Sequence, residues 1–171
     1  MTVTLENNAA LTAFMVKGLA FALLMVLSAQ AVIPVPGIPV PITLQVLTIF
    51  AGAMVLGPVE SGMGMLFYIM LGGMGFAVFA NGTAMSGLGA TTGYIIGMAF
   101  AAPLISFLRE RMNHVSACIV GLFMIYFAGI AFLCIYMHIS PIHAFVVGVL
   151  PFLVPDLLKL GLAVTIIGKI Q

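Results

Sequence analysis

The amino-acid sequence predicts an all-α integral membrane protein, one bundle of six transmembrane helices, and three observations lead there. The 171 residues are 64% apolar and 5% charged, with a mean hydropathy of +1.34, a composition no water-facing surface carries. Apolar runs recur at lengths near the roughly 20 residues a helix needs to cross a bilayer core. The alternating strands of a membrane β-barrel are absent. Helices, by contrast, satisfy every backbone polar group inside lipid.

Each element follows from its own punctuation. Residues 1–11 carry Glu6, Asn7 and Asn8 and read as a solvated lead-in to a single domain over 12–171. The first helix is expected over 12–33. It is longer than a signal-peptide core and has no small-x-small cleavage site after a basic start, so it reads as a retained crossing. Pro34-Val-Pro-Gly-Ile-Pro-Val-Pro41 must loop, because four prolines in eight residues fix φ and remove donors. The second helix is expected over 43–56 and the third, after the turn at Gly57-Pro58, over 61–71; both are short for full crossings. Residues 72–93 hold seven glycines and the polar cluster Asn81-Gly-Thr-Ala-Met-Ser-Gly87, which reads as a loop folding back before a fourth helix over 89–108. A polar turn at 109–114 precedes the fifth helix over 115–137. After a turn at 138–143, Pro151 and Pro155 split the remainder into a short helix and a final one over 155–170.

Charge then orients the bundle. With six crossings, the termini and the even-numbered turns share a side that collects Lys17, Arg109, Arg111 and Lys169, and the opposite turns hold no Lys or Arg. The positive-inside rule puts both termini in the cytoplasm, in a cell membrane. A net charge of +1 leaves no footprint for nucleic acid. Cys118 and Cys134 fall about 24 Å apart along one helix, too far to bridge, and read as small apolar fillers.

Asp156 and Lys159 stand out against this background. Each ionisable residue at bilayer depth costs about 2.5–3.5 kcal/mol on insertion scales, so a charge there needs a reason. At an i, i+3 spacing the two share a helical face, where they neutralise each other in part and still offer acceptor and donor atoms to a ligand. A self-satisfied ion pair between helices is the plainer reading. Pro155, expected at the start of the last helix, leaves unpaired N–H groups near Asp156, and interrupted helices point to binding sites in transporters. A simple proline kink is the alternative there.

Four ordered blocks resemble a known family. Ile33-Pro-Val-Pro-Gly-Ile-Pro-Val-Pro-Ile-Thr-Leu-Gln45, Ala51-Gly-Ala-Met-Val-Leu-Gly-Pro58, Gly75-Phe-Ala-Val-Phe-Ala-Asn-Gly-Thr83 with Gly87-Leu-Gly-Ala-Thr-Thr-Gly-Tyr-Ile-Ile-Gly97, and Pro151-Phe-Leu-Val-Pro-Asp-Leu-Leu-Lys159 are similar to BioY, the biotin-specific S component of energy-coupling factor transporters. The resemblance implies a six-helix S-component bundle holding biotin near the outer face, under the loop between the first two helices. It maps substrate binding onto Asp156 and Lys159, onto Asn81, Gly82 and Thr83 in the glycine loop, onto Tyr94, and onto Thr43 and Gln45. Ala90 and Thr91 depart from the Gly-Pro that relatives often carry before the Thr-Gly-Tyr block.

Energy has to come from elsewhere. The chain has no Gly-x-x-x-x-Gly-Lys-Ser/Thr loop for ATP, and Gly87-x-Gly89-x-x-x-Gly93 has the wrong spacing and context for a dinucleotide, so no cofactor is expected. The resemblance implies a transmembrane coupling subunit and a pair of ATPase subunits as partners, or solitary action as some BioY proteins are thought to manage. Gly18-x-x-x-Ala22 and Ala9-x-x-x-Ala13 on the first helix are small-residue stripes that suit either docking to such a subunit or packing inside the bundle. An enzyme is not expected: His114, His138 and His143 lack His-Glu-x-x-His spacing, and no metal set forms with Glu60 and Glu110. The rival reading is an ion-gradient-driven or solitary carrier for biotin or another small vitamin-like carboxylate.

Overall fold

The structure is a computed structural model that describes residues 2–87 and 89–169, with side chains from Ala10 onward. Among these residues the chain forms seven α-helices: α1 (Thr2–Gln30), α2 (Gln45–Val55), α3 (Pro58–Gly73), α4 (Thr92–Leu108), α5 (His114–Met137), α6 (Pro141–Gly148) and α7 (Leu150–Ile167). The short α6 and the long α7 are the two parts of the split sixth segment. Three helical stretches, Ala10–Gln30, His114–Met137 and Leu150–Ile167, are long and apolar enough to cross a membrane, and α2 and α4 are apolar but shorter. Leu23, Leu27, Phe123, Phe127 and Leu158 are exposed on the outside of the bundle, as lipid contact requires. The protein is membrane-embedded.

Several boundaries differ from expectation, each for a local reason. The first helix starts at Thr2 and stops at Gln30. Its expected last turn instead supplies strand β1 (Val32–Ile33), which pairs antiparallel with β2 (Ile42–Thr43) and ties off the base of the proline loop. The third helix begins three residues early because Gly57 caps it, Pro58 fits its first turn and the Glu60 carboxylate accepts the Gly57 N–H at 2.8 Å. The last helix begins at Leu150, not Pro155: Pro151 occupies its first turn and Pro155 lies inside it. The break that separates it from α6 is at Val149, with φ −127° and ψ −53°. The N–H groups expected at Pro155 are thus interior to a helix, and only the Pro151 carbonyl loses its partner.

Helix α4 is central, lying along α5 on one side and against α2 and α3 on the other, while α1 rests on α3 and α7 closes against α2. Phe21 wedges α1 into α2 and α3. A Cβ on Gly64 would stand 2.6 Å from the Phe21 ring and 2.9 Å from the Gly18 carbonyl, so the two backbones approach as closely as they do because Gly64 lacks a side chain. Gly18 and Ala22 are buried in this seam, so, of the two uses the stripe suits, the structure places it in packing against α3. Ala13 is exposed, and the side chain of Ala9 lies outside the described residues. Gly18→Leu is accordingly expected to cost about 1–3 kcal/mol through overpacking, read as a lower melting temperature in detergent, while Ala13→Leu leaves it unchanged.

Polar contacts mark the two ends of the bundle. Lys17 Nζ meets Glu60 Oε1 at 2.8 Å, and Arg109 Nη2 reaches the Val55 carbonyl at 3.5 Å, which gathers the basic residues where α2 ends. One turn inside this end, the buried hydroxyls of Ser61 and Ser106 join the start of α3 to the end of α4 at 3.0 Å.

Candidate ligand-binding site

At the end of the bundle where α2 begins, a cleft opens between the proline loop, α4, α5 and α7. The space between its walls, counted together with the open mouth, is about 550 Å³. Val40 and Pro41 of the loop, Thr43, Gln45, Ala80 and Thr91 surround its mouth side. Ile95, Met98, Ile125 and Phe152 supply apolar walls.

Asp156 and Lys159 line this cleft together, only 2% and 9% exposed. Lys159 Nζ donates to Asp156 Oδ1 at 2.7 Å, and the Tyr126 hydroxyl donates to Oδ2 at 2.9 Å. The i, i+3 spacing makes the first contact, and the second comes across from α5. A buried pair of this kind is tolerable only with its remaining polar atoms satisfied, and among the described residues no buried side-chain nitrogen or oxygen lacks a partner. The pair nevertheless retains capacity, since each carboxylate oxygen has a further lone pair and the ammonium has further protons. Both point into a space a ligand can enter.

The mouth is held by a second chain of hydrogen bonds. Thr43 Oγ1 donates to Gln45 Oε1 at 3.1 Å, Gln45 Nε2 donates to Tyr68 Oη at 2.9 Å, and Tyr68 Oη donates to the Val78 carbonyl at 3.3 Å. This chain fixes the Gln45 amide orientation and connects the strand pair to the glycine loop. Tyr94 presents its ring to the cleft while its hydroxyl donates to the Gly148 carbonyl at 2.7 Å, at the end of α6.

The family model for BioY matches residues 2–171. The chain belongs to the BioY family. It is 37% identical over 163 residues to the biotin transporter BioY of Thermotoga maritima, covering 92% of this chain and 95% of that one. It is likewise 37% identical over 135 residues to the probable biotin transporter BioY of Pyrococcus horikoshii, covering 78% and 82%. The fold matches the crystal structure at 2.1 Å of the S-component for biotin from an ECF-type ABC transporter, with a TM-score of 0.85 over 95% of this chain and 93% of that one. At 23% identity, that likeness concerns the fold.

Five of the positions implied by resemblance to BioY meet in the cleft: Asp156, Lys159, Tyr94, Thr43 and Gln45. Asn81, Gly82 and Thr83 do not, and Ala80 takes their place in the lining. The reason is local. Phe79 and Thr83 pair as an isolated bridge, and Asn81 and Gly82 both adopt left-handed backbone, φ 60° and 64°, to turn the chain between them. Asn-Gly is the residue pair that such a turn selects. Its side chain faces out, and Thr83 spends its hydroxyl on the Ala80 carbonyl at 3.0 Å.

Tyr126, Phe152 and the Ile95–Met98–Ile125 walls join the site only in three dimensions, with no local sequence signal that marks them. Helix α5 carries two tyrosines, Tyr126 and Tyr136, and nothing in its sequence marks the first as the one that faces Asp156. Among the described residues no group of three His, Cys, Asp or Glu side chains gathers to hold a metal, and Cys118 and Cys134 are both free.

Proposed function

We propose that this chain captures biotin from the outer side of the plasma membrane and delivers it inward as the S component of an ATP-driven energy-coupling factor module. The observation that carries the reading is the buried Asp156–Lys159 pair lining a cleft with apolar walls, in a chain of the BioY family. Biotin joins a ureido group, with two N–H donors and a polarised carbonyl, to an apolar bicycle and a carboxylate tail. Asp156 accepts from a ureido N–H, Lys159 donates to the carbonyl or the tail, and Ile95, Met98, Ile125 and Phe152 enclose the bicycle. Leaving those buried polar atoms unmatched costs about 1–3 kcal/mol each, so analogues without the ureido group are excluded.

Both termini lie in the cytoplasm in this reading, with the basic end of the bundle inward and the cleft outward. A transmembrane coupling subunit and ATPase subunits supply the energy. Ala13, exposed on α1, remains available to such a partner, and Ala13→Leu is expected to reduce co-purification with a coupling subunit while biotin binding persists.

The test is biotin binding to the purified chain, repeated with Asp156→Asn and Lys159→Ala, each expected to weaken it at least tenfold. Undiminished binding in both variants removes the site. Uptake in vesicles is expected to need ATP and the coupling subunits; uptake by this chain alone, following an ion gradient, would favour a secondary carrier.

A further inference from the structure

We propose that Tyr126 is a positioning residue for ligand capture, holding the Asp156 carboxylate in one orientation while its ring separates the charge pair from lipid. The inference rests on the cleft being the binding site proposed above. Asp156 has one donor on each oxygen, and the two donors come from different helices: Lys159 from α7 itself, Tyr126 from α5. A single donor on a flexible four-carbon stem leaves the carboxylate free to turn about its terminal torsion, which is broad and roughly two-fold. A second donor carried by a rigid ring on the facing helix removes that freedom. The two lone pairs that remain then point in set directions, which is what recognition of a directional N–H donor requires.

The same ring does a second job. Tyr126 lines the cleft, and it also lines a wholly apolar groove on the outside of the bundle, beside Phe123, Phe127, Val149 and Leu153. Phe123 and Phe127 are 69% and 74% exposed, so this groove faces the bilayer. Behind the Tyr126 ring is lipid, and in front of its hydroxyl is a buried anion. A phenylalanine there would keep the partition but leave Oδ2 with no protein donor. The hydroxyl is therefore specific to Asp156 and separable from packing.

Tyr126→Phe makes that separation. It is expected to leave the melting temperature within error and to weaken biotin binding about tenfold to a hundredfold, the range for a hydrogen bond to a charged group. In an Asp156→Asn background the same change is expected to cost less than about threefold, because the anion it serves is gone. In the ligand-free protein, isotope-edited infrared spectra are expected to show the Asp156 carboxylate stretch, identified by its loss in Asp156→Asn, shifted in Tyr126→Phe. Wild-type affinity in Tyr126→Phe, an equal loss in both backgrounds, or an unmoved carboxylate band overturns the positioning role. Absence of biotin binding by the unmodified chain instead overturns the functional reading, and the infrared shift alone then decides whether Tyr126 holds Asp156.

Discussion

Asp156→Leu is expected to abolish biotin binding and to destabilise the bundle by about 3–5 kcal/mol, because it strands the Lys159 ammonium in a buried site with no anion. Both effects in one variant would be ambiguous. The double variant Asp156→Leu with Lys159→Met removes both charges and keeps the volume, so it is expected to recover most of the lost melting temperature, since hydrophobic replacements of buried pairs are often neutral or stabilising. It is not expected to recover binding. Thermal unfolding in detergent and calorimetric titration with biotin, run on the three proteins, separate the roles. A double variant that binds biotin like the unmodified chain means that the pair exists for architecture and the ligand goes elsewhere.

Gly97→Leu is expected to prevent a stable bundle altogether, through the seam between α4 and α5. A Cβ at Gly97 would stand 2.7 Å from the Ile125 Cα and 3.0 Å from its carbonyl oxygen, so the obstacle is backbone and cannot swing aside. Overpacking by the single methyl of Gly97→Ala is expected to cost about 1–3 kcal/mol. It also spreads Tyr94 and Met98 from Ile125 and Tyr126 across the cleft, so biotin affinity is expected to fall with stability. Melting temperature and the gel-filtration profile check this: a Gly97→Leu protein that is monodisperse with unchanged melting would rule out the close approach. Lipid makes such contacts decisive, because helices there gain no hydrophobic energy from associating and depend on packing.

How much was legible in advance varies with the range of the interaction. Helices α4 and α5 end within three residues of expectation, because apolar length and polar turns are local signals. The pairing of Asp156 with Lys159 was legible because one turn of helix carries it. Tyr126 was not, since thirty residues separate it from Asp156 and no local rule links them. Asn81 lies outside the cleft lining because Asn-Gly favours the left-handed turn it forms, a local preference that block resemblance does not carry. Gly93 and Gly97 belong to the glycine-rich stretch and to a resemblance block by sequence, but on α4 they lie four residues apart on one face, the spacing that close helix approach uses. Pro155 carries a start signal in the sequence; with Pro151 already in the first turn, the helix holds it in the interior.

The proline loop over the cleft has a consequence for the entropy of holding a guest. Pro34, Pro36, Pro39 and Pro41 stiffen it, and its ends are pinned at the two residue pairs of the β1–β2 ladder. Four φ angles are already frozen before anything arrives, so ordering this segment against a bound guest would sacrifice little chain disorder.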